Sequence, residues 1–173
     1  MNENVSDSDR QQHHYWNQMY ELKVAAFYIR LYRDQLGKWV TGLAALKAIA
    51  SCAGIAAWVI WKEYAFVWGA IIAASQVADA LKDVFPFAKK HKAACAHTML
   101  LDNLFIDVQR EWEYIFSCRY TNDEMMECLY RLRKSQFNAE KQNFPDGLAT
   151  RVTLFDRASQ EAWEYFQATY GVN

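Results

Sequence analysis

Two long apolar runs, separated by a pair of charged residues, dominate the hydropathy pattern of the chain. The first, Trp39 to Trp61, reads WVTGLAALKAIASCAGIAAWVIW and carries one charge, Lys47. Its 23 positions make about 34 Å of helix at about 1.5 Å per residue, enough to cross the hydrocarbon of a bilayer. After Lys62 and Glu63 comes YAFVWGAIIAASQVADALKDVF, uncharged from Tyr64 to Ala78 and marked at its far end by Asp79 and Lys82. Two residues between antiparallel helices make an αα hairpin, so the runs are expected side by side. Trp58, Trp61, Tyr64, Phe66 and Trp68 gather at the tip, where an amphipathic ring gains from a headgroup interface. The competing reading is a buried hairpin in a soluble bundle, since core helices can also be apolar all round. Run length favours the membrane, because buried apolar runs are typically about 10 to 14 residues.

The charges around the hairpin set its expected orientation. Arg30, Arg33 and Lys38 precede the first run, and Lys82, Lys89, Lys90 and Lys92 follow the second. By the positive-inside rule both termini are expected to be cytoplasmic and the tip to face outward. Lys47 and Asp79 lie almost equally far from the tip and are therefore expected at one depth. An unpaired charge within a span costs about 2.5 to 3.5 kcal/mol on insertion scales, and pairing Lys47 with Asp79 relieves much of it. Ser51, four residues after Lys47, and Gln76, three before Asp79, extend the same two faces. This polar stripe has two readings: a neutral pair near the inner leaflet with a snorkelling lysine, or the lining of a water-filled path formed by several copies. The small-residue ladders Ala50/Gly54 and Ala70/Ala74/Ala78 permit close helix approach, either between copies or within one hairpin.

Outside the hairpin the pattern is helical throughout, with no strand alternation or repeat. Trp16, Tyr20, Val24, Phe27 and Leu31 place one apolar face on a helix from Tyr15 to Leu36, and the first twelve residues are polar enough to be expected disordered. Gly37 marks either a kink or a helix running on into the first span. Pro86 should end the second span. A helix from about Ala88 to Cys118 then presents Leu101, Leu104, Val108, Ile115 and Cys118 at a period of about 3.5 residues, suited to a stalk that packs on a neighbour. Thr121 and Glu124 have capping-box spacing before a helix carrying Met125, Leu129 and Leu132. Asn143 to Gly147 is a loop, and a last helix, Leu148 to Tyr170, is expected to pack Val152, Phe155, Ala162 and Phe166 and to stop before Gly171.

Composition narrows the chemistry. The 173 residues carry 19 basic and 20 acidic side chains, a formal net charge of -1, which disfavours a nucleic-acid-coating protein. With 6 Gly and no phosphate-loop or nucleophile-elbow spacing, no enzyme and no cofactor is expected. Cys52, Cys95, Cys118 and Cys128 form no CxxC motif, and the start of the chain lacks the apolar run of a signal peptide. His91, Cys95 and His97 do not share one helical face, so no metal site is expected. The basic residues carry more information. Arg131, Lys134 and Lys141 lie close to one face, with Arg133 beside them. Together with Lys89, Lys90 and Lys92 they are candidates for phosphate or anionic headgroups, the alternative being a solvated helix face. Trp112 is a candidate base-stacking aromatic.

A helix, a tight two-span hairpin with both ends inside, and a long helix reading DALKDVFPFAKKHKAACAHTMLLDNLFIDVQREWEYIF together resemble the SLATT-type two-transmembrane effectors of bacterial anti-phage defence. The resemblance covers about residues 15 to 140, and the Hailong effectors are the subgroup it suggests. It implies a homo-oligomer, a tetramer by resemblance, that permeabilises or depolarises the inner membrane and arrests growth. It also implies control by a nucleotide or single-stranded oligonucleotide, made by a partner nucleotidyltransferase. The expected organisation is all-α: an N-terminal arm and cytosolic helix over 1–38, the transmembrane hairpin over 39–85, and a cytosolic helical oligomerisation and sensing region over 86–173. A membrane scaffold without pore activity and a soluble helical interaction module are the rival functional classes.

Overall fold

The computed structural model describes residues 2–60, 65–80 and 86–171, the side chains of 2–6, 50, 52–60, 65, 68 and 78 lying outside that description. Among the described residues there are five α-helices and no strand: α1 (Asn2–Ile60), α2 (Ala65–Ala80), α3 (Phe87–Phe116), α4 (Asn122–Asn143) and α5 (Val152–Tyr170). They group into two compact units, Met1–Tyr32 with Ala93–Asn173, and Arg33–Lys92. The segments flanking the hairpin, distant in sequence, thus join in one body.

The larger unit is built on two seams of heptad spacing. In α1, Tyr15, Met19, Leu22, Ala26 and Ile29 are buried at alternating steps of four and three; in α3, Ala94, Thr98, Leu101, Phe105 and Val108 repeat the pattern. Such spacing keeps a narrow apolar stripe facing a partner helix. The two helices run antiparallel: the Tyr15 hydroxyl donates to Glu111 at 2.9 Å, while Arg30 pairs with Asp102 at 3.3 Å. Antiparallel to α3 lies α4, with Arg131 paired to Glu111 and the His97 ring edge-on to Phe144 at 5.5 Å. The remaining helix, α5, packs on a second face of α1, where Val24 and Tyr28 meet Ala158 and Ala162. Both alanines are fully buried, so their small side chains let the helix backbones approach closely. The Tyr28 hydroxyl ties down the connection into α5, donating to the Ala149 carbonyl and accepting from the Arg151 N–H, both at 3.1 Å.

Several helix ends have local causes. Thr121 and Glu124 form the full capping box that opens α4, and Gly171, at φ 65°, supplies the left-handed residue that closes α5. The carbonyl of Pro86 accepts from the Lys90 N–H, so this proline immediately precedes α3. Other expectations are corrected. The polar N-terminal arm is helical from Asn2, because nothing in it breaks the helix that Tyr15 onward anchors; Asp7 and Arg10 pair along it at i, i+3. Phe105, not Leu104, occupies the α3 seam. Cys118 lies beyond the end of α3 at φ 54°, exposed. Val152 and Phe155 are 71% and 47% exposed, and Ala158 takes the buried position instead.

In the smaller unit, Trp39 stacks on Phe87 at 6.1 Å and Lys47 pairs with Asp79. Residue numbers rise on one side as they fall on the other, so these segments are antiparallel. Gly37 does not interrupt α1. A Cβ there would lie 3.2 Å from Nε2 of His91, so its absence admits the close approach of the start of α3. Among the described residues no helix is long and apolar enough to cross a membrane. The tip aromatics Trp58, Trp61, Tyr64 and Trp68, the ladder residues Ala50, Gly54 and Ala78, and the segment 81–85 fall outside the described structure or side chains.

Candidate functional site

The hairpin brings two of its four expected polar residues together: Lys47 Nζ donates to Asp79 Oδ1. Their side chains remain 37% and 55% exposed, so the pair lies at the surface of the unit. Ser51 and Gln76 are also exposed. The same two helices carry exposed apolar side chains, among them Ile49, 52% exposed, Phe66, 88%, and Val77, 57%.

The expected cationic residues are distributed over both units. Lys89, Lys90 and Lys92 are exposed on the first turns of α3, in the smaller unit. On α4, in the larger unit, each basic side chain named from the sequence is exposed, but three have internal partners. Arg131 is paired with Glu111, and this carboxylate pushes the guanidinium pKa further up. Arg133 donates to Gln18 Oε1 at 2.6 Å, and the Lys134 ammonium sits 5.7 Å from the Tyr130 ring centroid. Lys141 is exposed near the end of α4. Beside Arg131 is a cleft of about 420 Å³ lined by Asp107, Arg110, Glu111, Tyr114 and Tyr120, among others. Its two acids match its two bases, so it offers an anion no net attraction.

Trp112 is taken up by packing, against Tyr15, Trp16 and Phe116 with centroids 6.3, 5.0 and 6.0 Å away. Tyr15, 1% exposed, has its phenol pKa pushed strongly up by burial and by neighbouring Glu111. Burial also raises the Cys128 thiol pKa, with Glu111 acting in the same direction, which keeps the thiol protonated and poorly nucleophilic. Among the described residues no three His, Cys, Asp or Glu side chains converge as for a metal ion.

A half-buried lysine and a buried histidine carry no sequence signal that separates them from ordinary helix positions. Lys23 lies 3.9 Å from the ring centroids of both Phe105 and Tyr165, and burial lowers its pKa. His97 is 7% exposed and its Nδ1 has no hydrogen-bond partner. Only the heptad register of α3, where 97 falls beside the seam positions Ala94, Thr98 and Leu101, hints that this histidine faces inward. Family models, curated proteins and solved structures were all compared with the chain, and none matches.

Proposed function

We propose that the chain is a two-span membrane effector that oligomerises into a channel or permeabilising complex and causes growth arrest in bacterial defence. The observation that carries this reading is the smaller unit's surface, where Trp39, Ile49, Phe66, Val67, Ile72 and Val77 are all at least 40% exposed and which also bears the Lys47–Asp79 pair. An exposed apolar face on paired helices suits a covering medium, either membrane or protein. Bilayer is favoured by the complete apolar runs of the sequence, Trp39 to Trp61 with the single charge Lys47 and Tyr64 to Ala78 with none. Intramembrane charges almost always face a bundle interior or a water-filled cavity. An exposed ion pair on the hairpin supports several copies arranged around it; in a scaffold that needs only the anchor, the same pair would simply neutralise itself near the inner leaflet.

Control is proposed through a nucleotide or single-stranded oligonucleotide made by a partner nucleotidyltransferase, with two separate candidate groups for its phosphates: Lys89, Lys90 and Lys92 in the smaller unit, and Arg133, Lys134 and Lys141 in the larger. Arg131 joins them only by exchanging Glu111 for phosphate. The test is expression of the full chain with a potential-sensitive dye. The expected outcome is growth arrest with collapse of membrane potential, altered by Lys47→Leu and by Asp79→Leu. Unchanged potential across a range of expression levels, with the protein verified in the membrane, would leave the scaffold reading in its place.

A further inference from the structure

Two helices of the larger unit turn apolar side chains outward, and the charges beside them have opposite sign. On α4, Met126, Tyr130 and Phe137 stand at i, i+4 and i+11 and so share one face; Tyr130 and Phe137 are 61% and 63% exposed. Lys134 and Lys141, each four residues beyond one of these rings, border that face on one side. On α5, Asp156, Gln160 and Trp163 stand at i, i+4 and i+7 and are all exposed, and Glu164 borders them. Among the described residues none of Lys134, Lys141, Asp156 and Glu164 forms an ion pair within the chain. Exposed apolar residues rimmed by charge mark interaction surfaces, and the sign of the rim selects the partner.

The two faces complement each other. Within one copy α5 runs against α1, since Tyr28 holds its start and Trp16 meets Phe166 near its end, whereas α4 runs with α1. Copies related by rotation about an axis along the bundle therefore present α4 and α5 to each other antiparallel. In that direction Lys134 and Lys141, seven residues apart, meet Glu164 and Asp156, eight apart. The same register places Trp163 between Tyr130 and Phe137. It also sets Glu140, at the margin of the α4 face, beside Arg157, which is paired with Glu161 at 2.9 Å. The acids of the first turns of α4, Asp123 and Glu127, fall at or beyond the end of α5. We propose that the α4 face of one copy docks on the α5 face of the next. Such a contact is heterologous, each copy using α4 towards one neighbour and α5 towards the other, and it builds a ring where the rotation closes. The inference rests on the oligomer of the proposed function and deepens it. It leaves Lys89, Lys90 and Lys92 as the group open to phosphate in the assembled protein.

Two differently tagged copies of the full chain are coexpressed, one with p-benzoylphenylalanine in place of Phe137. The cells are irradiated, and adducts joining the two tags are mapped by mass spectrometry. The expected product links position 137 of one copy to residues 160–164 of the other. Its yield should fall at least tenfold when the second copy carries Asp156→Lys with Glu164→Lys. It should return when the first copy also carries Lys134→Glu with Lys141→Glu. All four side chains are exposed, so the helices that bear them keep their cores. Tags that copurify without an adduct on α5, or an adduct yield indifferent to the charge reversals, would overturn the docking and leave the oligomer standing. An adduct to nucleic acid or lipid in place of α5 would overturn it too, by giving the α4 face another occupant. Tags that fail to copurify would overturn the oligomer of the proposed function and the docking with it.

Discussion

Glu111→Gln perturbs two neighbours at once, because Glu111 receives the buried Tyr15 hydroxyl on one oxygen and Arg131 on the other. The amide keeps the shape and an acceptor for Tyr15, so the loss is one of charge. A neutral acceptor in place of a carboxylate lowers the net worth of that hydrogen bond by about 1 kcal/mol. Arg131 is 57% exposed and Glu111 13%; for a pair this open to water on one side, the lost ion pair adds about 1 kcal/mol or less. Together these predict about 2 kcal/mol of destabilisation, or a Tm lower by about 4 to 8 °C for a chain of this length. Unfolding followed by tryptophan fluorescence is well placed to read it, since Trp16 and Trp112 pack beside Tyr15. In a double-mutant cycle with Tyr15→Phe the two changes should couple by about 1 kcal/mol, because each removes the same charge-assisted hydrogen bond. A Tm unchanged in Glu111→Gln, or strict additivity in the cycle, would refute the reasoning. The same variant releases Arg131, so affinity for a short oligonucleotide should rise several-fold in low salt.

Phe166→Ala removes a ring, 1% exposed, that touches Trp16, Tyr20, Phe105, Tyr165 and Tyr170; a loss of about 3 to 5 kcal/mol is expected in chemical denaturation. Thr121→Ala abolishes the capping box of α4 and should cost about 1 kcal/mol, with faster hydrogen exchange in the first turn of that helix. His97 has a pKa below its ordinary value of 6.5 in the folded chain. The unfolded chain therefore takes up that proton first as pH falls through about 6.5, and stability should decline on acidification until pH passes below the folded value. His97→Phe should flatten that part of the pH–stability curve, and an undiminished slope in the variant would show that His97 is not its source.

Much of the helical organisation is legible in the sequence because its signals are local. Thr121 with Glu124 and Gly171 after α5 each act within a turn or two of chain, and each stands at a helix end; the expected end of the second span at Pro86 falls on residues outside the described structure. Patterns of packing are less legible. The apolar face of α1 visible as Trp16, Tyr20, Val24, Phe27 and Leu31 is the one that meets α5. The more deeply buried seam of Tyr15, Met19, Leu22, Ala26 and Ile29 is a second face of the same helix, and a helix packed on two sides blurs any single stripe. Leu104 and Phe105 are equally apolar neighbours, so only the heptad register defined by Leu101 and Val108 decides which enters the core. For candidate site residues, depth along the hairpin is enough to bring Lys47 to Asp79. Helical spacing on α4 cannot reveal that Arg131 is held by Glu111, twenty residues away on another helix. Nor can it reveal that Lys23 lies against Phe105 and Tyr165; such contacts exist only once α1, α3 and α5 have assembled.

The central claim, insertion of the hairpin into a bilayer, is tested most directly by fractionating cells that express the full chain and washing the membranes with alkaline carbonate before adding detergent. The account predicts that the protein stays with the membranes through the wash and enters solution only with detergent. Recovery of monodisperse protein in detergent-free buffer would contradict it, and would mean that the exposed faces of α1 and α2 around Ile49, Phe66 and Val77 are covered by protein instead of lipid.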